Sequence, residues 1–313
     1  MLRLDPGSRP SPHLQCKFAA AALPIILTER APAKINLTLH IVGRQTDGWH
    51  ALESLVAFSR GGDDLSLVEG APLSLSIEGP TAPASGALGD NLVLRAARNF
   101  SKAYAGARLG AFHLVKRLPV AAGIGGGSSD AAAALRLLAR ANAISIEDEG
   151  LIEAARQTGA DVPVCLAKRA RMMTGIGGEL GPLLELPPLI GLIVNPGEPL
   201  ETKSVFAQMK IAPGAKTRFG GHPELCAKMP ADALISALRK GRNDMEAAAC
   251  VLAPIIGDVL AVLSAAPGCR LARMSGSGAT CFAIFKDCRT AARAKKAILQ
   301  AHPAWWVKTC VLN

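Results

Sequence analysis

Aromatic residues are scarce in this chain of 313 residues, where tryptophan, tyrosine and phenylalanine together make up 4%. Long runs of lysine and arginine are also missing, although the formal net charge is +10. Proteins that bind nucleic acid usually cluster their basic residues and use aromatic rings as stacking platforms. The scattered charge therefore argues against a nucleic-acid partner and favours a small anionic ligand such as a polyphosphate.

Cysteine pairs and long apolar runs are absent as well. None of the eight cysteines lies in a CxxC pair, and no close set of cysteine and histidine has the spacing of metal ligands. We therefore expect no protein-ligated metal, and the isolated cysteines fit a reducing cytoplasm. No stretch reaches about 18 apolar residues, so the sequence predicts no transmembrane helix and no membrane partner. Residues 18–27 are apolar, but Pro24 interrupts them, and we expect no cleaved signal peptide.

The hydrophobic pattern alternates between strand and helix periods and predicts an α+β fold. Strands are predicted at 35–41, 112–115 and 189–194, and helices at 91–104, 131–141 and 147–158. Residues 63–78 are predicted to form two short strands joined by a Gly-Ala-Pro turn. Asp90 is the expected N-cap of the first helix, and Gly159 suits a left-handed residue at the end of the third. We place a domain boundary near residue 182 and a flexible tail at 1–22.

The first predicted strand carries a row of polar side chains. Apolar and polar residues alternate along it, the polar ones being Lys34, Asn36, Thr38 and His40. Two interpretations stay open at this point. The row is either the solvated face of a half-buried strand or the wall of a ligand cleft.

A glycine-rich segment precedes the second predicted helix. It consists of Pro119, Val120, Ala121, Ala122, Gly123, Ile124, Gly125, Gly126, Gly127, Ser128 and Ser129, followed by Asp130. Glycines let backbone N–H groups approach a ligand, and the first turn of a helix has unpaired N–H groups that hold phosphate. Ser128 or Ser129 can cap the helix or offer a hydroxyl to phosphate or Mg²⁺. A flexible loop before an ordinary serine cap is the plain alternative.

The segment lacks the marks of the two common nucleotide sites. No lysine follows the glycines as in a Walker loop, and no acidic residue lies about twenty positions on, as in a Rossmann dinucleotide site. We therefore predict a phosphate-binding loop of a third kind.

Five motifs occur in a fixed order along the chain. They are PAKINL at 32–37, the glycine-rich loop at 119–130, GADVP at 159–163, RND at 242–244 and SGSGAT at 275–280. Their sequence and spacing resemble the GHMP kinase superfamily over residues 28–285. Within it, PAKINL and the Asp-Gly-Trp-His element at 47–50 resemble the branch that phosphorylates the 2-hydroxyl of a cytidine-diphosphate sugar alcohol in isoprenoid precursor synthesis.

The resemblance implies a two-domain α+β fold. Its N-terminal domain, at 23–182, would contain a left-handed βαβ crossover, which is an exception to the usual right-handed rule. The C-terminal domain, at 183–313, would be an α/β sandwich. ATP with Mg²⁺ would lie on the glycine-rich loop, and the small-molecule acceptor would lie between the domains. The expected assembly is a monomer or a weak homodimer.

Lys34 and Asp161 fall on the two catalytic positions that the resemblance implies. A carboxylate can accept the proton of the acceptor hydroxyl, and a nearby lysine keeps that carboxylate ionised. The alternatives are that Asp161 only caps the helix that follows and that Lys34 is an exposed strand lysine. Asn91 and Lys116 fall near the adenine pocket of the superfamily.

The resemblance also implies the residues of the acceptor site. Trp49 and Phe206 would stack on cytosine, and His50 would hydrogen-bond the edge of the base. Asn36 and Thr202 complete the expected substrate contacts. Three positions depart from the pattern, with Trp49, Cys165 and Gly178 standing where tyrosine, phenylalanine and glutamate are expected.

Two other functions stay open at the level of the sequence. One is a GHMP kinase that acts on a different alcohol with the same ATP site. The other is a non-catalytic module of this fold that binds nucleotide or RNA, against which the intact pair of Lys34 and Asp161 speaks.

Overall fold

The structure is a computed structural model, and it describes residues 25–217, 221–225 and 228–313. The tail predicted at 1–22 lies outside these ranges. The strands are β1 Ile26–Asn36, β2 His40–Arg44, β3 His50–Glu69, β4 Ser74–Glu78, β5 Gly110–Val115, β6 Arg171–Thr174, β7 Glu179–Leu183, β8 Leu189–Asn195, β9 Cys269–Met274, β10 Cys281–Phe285 and β11 Trp306–Leu312. The helices are α1 Leu92–Ala103, α2 Gly126–Ala141, α3 Glu149–Thr158, α4 Val162–Ala167, α5 Thr202–Gln208, α6 Ala231–Lys240, α7 Glu246–Leu252, α8 Ile255–Ala265 and α9 Cys288–Ala301.

An eleven-stranded sheet runs through the described residues, with the main order β4-β5-β3-β11-β8-β10-β9. The long strand β3 pairs antiparallel with β1, β2, β5 and β6. β4 and β5 pair in parallel and α1 lies between them in the chain, so they form a βαβ unit within the domain for which the resemblance implies a left-handed crossover. β3 meets β11 where Ser59 pairs with Leu312, which links the two halves of the chain.

Strands β8 and β10 show how the second half is layered. Because side chains alternate along a strand, Leu192, Val194 and Ala283 pack on one face with α7, α8 and α9. The residues between them, such as Ile193 and Phe282, pack on the other face with α6. Helices therefore cover both faces, and the predicted α/β sandwich is confirmed.

The first half buries one face of β1, β3 and β5 under the helices α1 to α4. Its core includes Phe100 of α1, Leu135 of α2 and Phe112 of β5, all almost fully buried. The α+β architecture is thus confirmed in both halves. The boundary near residue 182 falls inside β7 and stays a prediction. Across the ranges that the structure describes, no helix is both long and apolar enough to cross a membrane.

Several predicted boundaries are corrected by the structure. Asn91, not Asp90, is the N-cap of α1, because its Oδ1 accepts a hydrogen bond from the Val93 N–H at 2.9 Å. Gly159 follows α3 with φ 173°, which is extended backbone and not the left-handed conformation predicted for it. The single strand predicted at 35–41 is divided into β1 and β2.

Candidate active site

Lys34 and Asp161 are brought together from strand β1 and the start of α4. Lys34 is only 4% exposed, and its Nζ donates a hydrogen bond to Asp161 Oδ2 at 2.8 Å. Asp161 occupies the N-cap position of α4, but its side chain makes no capping hydrogen bond. Neither plain alternative therefore describes this pair, because the lysine is buried and the carboxylate faces the lysine instead of the helix.

The glycine-rich loop lies directly against this lysine. The Lys34 N–H donates to the carbonyl oxygen of Ile124 at 2.9 Å, which fixes the loop beside β1. Gly125 has φ +60°, and a Cβ there would lie 3.2 Å from Lys34 Cβ and Cε. Gly123 has φ +71°, and a Cβ there would lie 2.5 Å from the Ser275 carbonyl oxygen. Both positions therefore require glycine for conformation and for space.

The loop ends at the N-terminus of α2. This helix begins at Gly126 with Gly125 as N-cap, five residues earlier than predicted. Ser128 and Ser129 therefore lie inside the first turn and do not cap it. The first intrahelical bond runs from the Ser129 N–H to the Gly125 carbonyl at 2.8 Å, so the N–H groups at 126–128 are those that a helix leaves unpaired. Ser129 Oγ is buried and has no hydrogen-bond partner among the described residues.

Lys116 lies beneath the same loop in a buried group of charges. Its Nζ donates to Asp63 Oδ2 at 2.6 Å and to Asp130 Oδ2 at 2.7 Å. Burial acts to lower the pKa of Lys116, but the two carboxylates raise it overall. Burial raises the pKa of Asp130 to about 7, although the ammonium opposes this shift. The predicted contact of Lys116 with adenine stays a prediction, as does that of Asn91, whose side chain caps α1.

A loop from the second half of the chain closes the site. Ser275 Oγ accepts a hydrogen bond from the Asn36 N–H at 3.1 Å and donates one to the Gly123 carbonyl oxygen at 3.1 Å. Asn243 holds this loop, because its Nδ2 donates to the carbonyl oxygens of Met274 and Gly276 at 2.8 and 2.9 Å. The PAKINL, glycine-rich, RND and SGSGAT motifs thus meet at one place.

Two of the predicted substrate residues, Asn36 and Thr202, lie next to these motifs. Asn36 Nδ2 donates to Ser54 Oγ at 2.7 Å, whereas its buried Oδ1 has no partner among the described residues. Thr202 Oγ1 lies 2.8 Å from the hydroxyl oxygen of Ser277 in the SGSGAT loop. The unpartnered amide oxygen of Asn36 can accept a hydrogen bond from a bound molecule.

The ring residues predicted for the acceptor are divided between packed and exposed positions. His50 and Phe206 stack with ring centroids 4.2 Å apart and planes 11° apart. Burial lowers the pKa of His50, and the Arg44 guanidinium lowers it further. The buried His50 Nε2 has no partner within the described ranges. Trp49 lies at the tip of the β2–β3 hairpin and is 61% exposed.

Comparison with known proteins identifies the family of this chain. The family model described as GHMP kinases N terminal domain matches residues 91–169, and the one described as GHMP kinases C terminal matches residues 225–304. A 4-diphosphocytidyl-2-C-methyl-D-erythritol kinase from Methylorubrum extorquens (strain PA1) is 57% identical over 90% of this chain and 98% of that protein. A protein of the same name from Methylobacterium radiotolerans is 56% identical over 92% of this chain and 99% of the relative. The chain belongs to the 4-diphosphocytidyl-2-C-methyl-D-erythritol kinase family.

Solved structures agree with this family. The crystal structure of a 4-(cytidine 5'-diphospho)-2C-methyl-D-erythritol kinase matches with a TM-score of 0.70 at 30% identity, over 92% of this chain and 99% of the other. A homoserine kinase from Cytophaga hutchinsonii matches with a TM-score of 0.61 at 16% identity and shares the fold alone. The chain is therefore an ATP-dependent kinase with the two-domain GHMP fold, and its family membership favours this enzyme over a non-catalytic module.

Two residues that connect the loops of this candidate site were within predicted motifs but had no predicted role. Asn243 and Ser275 belong to the RND and SGSGAT motifs, which marked them as important without showing their partners. Their partners are far away in the sequence, since Ser275 contacts a residue 239 positions earlier. The spacing of motifs along the sequence does not indicate which residues so far apart in the chain are in contact.

Proposed function

We propose that this kinase transfers the γ-phosphate of ATP to the 2-hydroxyl of 4-diphosphocytidyl-2-C-methyl-D-erythritol. The observation that carries the proposal is the 2.8 Å contact between Lys34 Nζ and Asp161 Oδ2, beside the glycine-rich loop. Phosphoryl transfer asks a protein mainly for positioning and charge neutralisation, with one group to accept the proton of the attacking hydroxyl. This pair offers both a base and a cation at the end of the phosphate loop.

Asp161 is the proposed general base. Its carboxylate is not used by the helix that it precedes, and about a third of the side chain is exposed (36%). An acceptor hydroxyl can therefore approach the oxygen atoms, as base catalysis requires. Lys34 has two tasks in this proposal. Its ammonium holds the Asp161 carboxylate in place through the 2.8 Å hydrogen bond and offsets the negative charge that gathers on the transferring phosphoryl group.

The residues of the glycine-rich loop fit the phosphates of a nucleoside triphosphate. Segment 119–129 offers backbone N–H groups at the start of α2, and no Cβ fits at Gly123 or Gly125 without a clash or a close contact. Mg²⁺, when bound, would neutralise charge on the β- and γ-phosphates. The Ser129 hydroxyl, buried and without a partner among the described residues, is our candidate for holding the phosphate–metal group.

The acceptor would lie on the side of the Lys34–Asp161 pair that faces away from the glycine-rich loop and its ATP. We assign its cytosine to His50, Phe206 and Trp49, and its sugar alcohol to Asn36 and Thr202. Two unpartnered buried atoms support this, namely His50 Nε2 for the edge of the base and Asn36 Oδ1 for a hydroxyl. Base–aromatic stacking adds about 1–3 kcal/mol per base. The exposed ring of Trp49 is free to provide such a face.

We also propose a cytoplasmic enzyme that works as a monomer or a weak homodimer, with no nucleic-acid partner. The cysteines that the structure describes are all free, which supports a reducing compartment. The charge of the chain is scattered, which supports a small anionic substrate.

Measuring ADP release with a panel of acceptors tests the proposed reaction. We expect turnover with 4-diphosphocytidyl-2-C-methyl-D-erythritol. With homoserine or mevalonate, the rate of ADP release should equal the background rate measured without any acceptor. Phosphorus NMR of the product should place the new phosphate on the 2-hydroxyl. Turnover of homoserine or mevalonate, with none for the cytidine compound, would instead show a different kinase of this fold.

A further inference from the structure

Arg44 lies between the two segments that carry the ring residues of the acceptor site. Its side chain, at the end of β2, donates from Nε to the carbonyl oxygen of Gly48 at 3.1 Å. It also donates from Nη1 to the carbonyl oxygen of Ile211 at 3.0 Å. Gly48 directly precedes Trp49 and His50, whereas Ile211 follows α5, which carries Phe206. One guanidinium therefore joins the two sides of the ring cluster.

The segment that contains Ile211 is itself fixed to α5. The N–H groups of Met209 and Lys210 donate to the carbonyl oxygens of Val205 and Ala207 at 3.2 Å each. A hydrogen bond to Ile211 therefore acts on a continuation of the helix that holds Phe206. A displacement of Ile211 would move α5 relative to the hairpin.

The backbone of Arg44 takes part in the same junction. Its N–H donates to the Ala215 carbonyl oxygen at 2.8 Å, and its carbonyl oxygen accepts from the Gly214 N–H at 2.8 Å. In the β2–β3 ladder Arg44 pairs with His50. The main chain thus sets the position of the arginine, and its side chain is left to determine the distance between Gly48 and Ile211.

The shape of the guanidinium suits this task. Its N–H groups point in fixed directions within one plane, so two of them can bind two carbonyl oxygens from different segments. Lysine has a compact ammonium on a flexible stem and cannot hold two separated carbonyls in a set geometry. The positive charge alone is therefore not enough to replace this arrangement.

We propose that Arg44 is a positioning residue for the acceptor, one that holds the Trp49–His50 hairpin and α5 at the separation that the base requires. The proposal rests on the proposed function, since it assumes that the rings bind the cytidine part of the acceptor. Arg44 acts through these rings and not on the reacting atoms. Its loss therefore affects binding of the remote part of the substrate, which raises KM and leaves kcat alone.

Steady-state kinetics of Arg44→Met and Arg44→Lys test this role. Arg44→Met removes both charge-assisted hydrogen bonds that hold the rings in place, so acceptor binding must then order the rings, and the acceptor KM should rise roughly 10- to 100-fold. The KM for ATP and kcat should stay within about threefold of the original enzyme. Arg44→Lys should recover only a part of the loss, because it restores the charge without the second N–H direction.

Arg171→Met is the matched control. Arg171 is also part-buried, and its Nε donates across a hairpin to the Gly181 carbonyl oxygen at 3.0 Å, in the β6–β7 pair. The same substitution there removes a similar bond and should leave the acceptor KM unchanged. A rise in acceptor KM for Arg44→Met but not for Arg171→Met supports the proposal.

Three results would overturn the role of Arg44. The first is an unchanged acceptor KM in a folded Arg44→Met enzyme. The second is an equal rise in both KM values together with a lower Tm, which is the sign of general damage. The third is full activity of Arg44→Lys, which would show that the positive charge matters and the two fixed N–H directions do not. Failure of the proposed function is distinct, because the unsubstituted enzyme would then show no turnover of the cytidine acceptor.

Discussion

A buried ammonium needs a partner, because taking a charge out of water without compensation is costly. Lys34 is 4% exposed and finds that partner in Asp161, across 127 positions of sequence. Here one end is buried and the other opens toward solvent (36%), which is the arrangement expected for a reacting group held by a fixed cation.

Replacing Asp161 with asparagine tests this asymmetry. Asp161→Asn keeps the shape of the side chain and removes its ability to accept a proton. We expect kcat to fall by about 10²–10⁴-fold with a much smaller change in the KM values, since general-base removal has this size. Initial-rate measurements of ADP release with both substrates varied give these constants.

Asp148→Asn is the control for that substitution. Asp148 is the N-cap of α3, and its Oδ1 accepts from the Gly150 N–H at 2.9 Å, so it performs the capping task that Asp161 does not. Its replacement should lower Tm slightly and leave kcat unchanged. If Asp161→Asn retains kcat within about threefold, the carboxylate has no role as a base.

Trp49 permits a test of the acceptor site with little effect on folding. Its side chain is 61% exposed, so Trp49→Ala removes little buried surface and should hardly change Tm. If the ring stacks on cytosine, the acceptor KM should rise by roughly 5- to 150-fold, which corresponds to about 1–3 kcal/mol. The KM for ATP should stay constant.

Two further variants test whether stacking on the base causes the effect of Trp49→Ala. Trp49→Tyr should recover most of the loss, because a phenol ring also presents a stacking face. Phe206→Ala should raise the acceptor KM as well, but it also removes the ring that packs on His50, so some loss of stability is expected. An unchanged acceptor KM in Trp49→Ala would exclude this ring from the site.

At the scale of elements, the sequence predicted which helices and strands exist better than where they begin. α1 and α3 were predicted within two residues of their observed starts, because capping side chains and apolar periodicity mark such positions. The start of α2 was placed five residues late. Four glycines suggest a loop by their low helix propensity, yet Gly126 and Gly127 form the first turn of the helix. Tertiary packing sets this start, because α2 lies against β1, α1 and α4.

The division of the first predicted strand has a similar cause. Alternation along residues 34–41 suggested one continuous strand, yet the backbone leaves the ladder between Asn36 and His40. Leu39 pairs there with the RND motif, since its N–H donates to the Arg242 carbonyl and its own carbonyl accepts from the Asp244 N–H, both at 2.8 Å. A partner from the other half of the chain overrides the local pattern, and no local signal reports it.

The glycine-rich loop gives a prediction for an element. Gly125→Ala adds a Cβ 3.2 Å from two carbons of Lys34 at a residue whose φ is +60°. We expect the loop and the lysine to shift together, and kcat/KM for ATP to fall roughly 10- to 100-fold, since small misplacements have effects of this size. Kinetics with ATP as the varied substrate measure the change.

Gly70→Ala separates the effect of contact from that of backbone strain. Gly70 has φ +75° in the turn after β3, and a Cβ there would meet no atom within 4 Å. Its replacement adds left-handed strain, which costs about 1–2 kcal/mol, without touching the site. A loss in kcat/KM for Gly70→Ala as large as that for Gly125→Ala would show that general strain, and not the contact with Lys34, causes the defect.

On the scale of the whole molecule, the site is built by contacts between distant parts of the chain. The motifs could be found by reading the sequence, and the roles of Lys34 and Asp161 could be inferred from resemblance. The buried group of Lys116, Asp63 and Asp130 could not, because Asp63 lies 53 positions away from Lys116 and has no motif of its own. Such a group depends on how β3, β5 and α2 pack, which is a property of the complete fold.

The same group makes the stability of the whole molecule depend on pH. One ammonium faces two buried carboxylates, so full ionisation leaves an excess negative charge in the interior. Burial accordingly raises the pKa of Asp130 from 3.8 to about 7. Between these two values the folded chain holds a proton that the unfolded chain has released. This residue therefore makes the free energy of unfolding fall as pH rises through this window.

Asp130→Asn removes that dependence, because the amide carries no charge at any pH and its oxygen can still accept from Lys116. We expect the Tm of the variant relative to the unsubstituted protein to rise from pH 5 to about pH 7 and to level off above it, measured by thermal unfolding at fixed ionic strength. Asp148→Asn is the control, since hydrogen bonding by Tyr104 lowers the pKa of the exposed Asp148 and its titration is complete below this window. Its Tm difference should be constant over the same range. A constant difference for Asp130→Asn as well would mean that Lys116 keeps Asp130 ionised, and that the pH dependence does not come from this group.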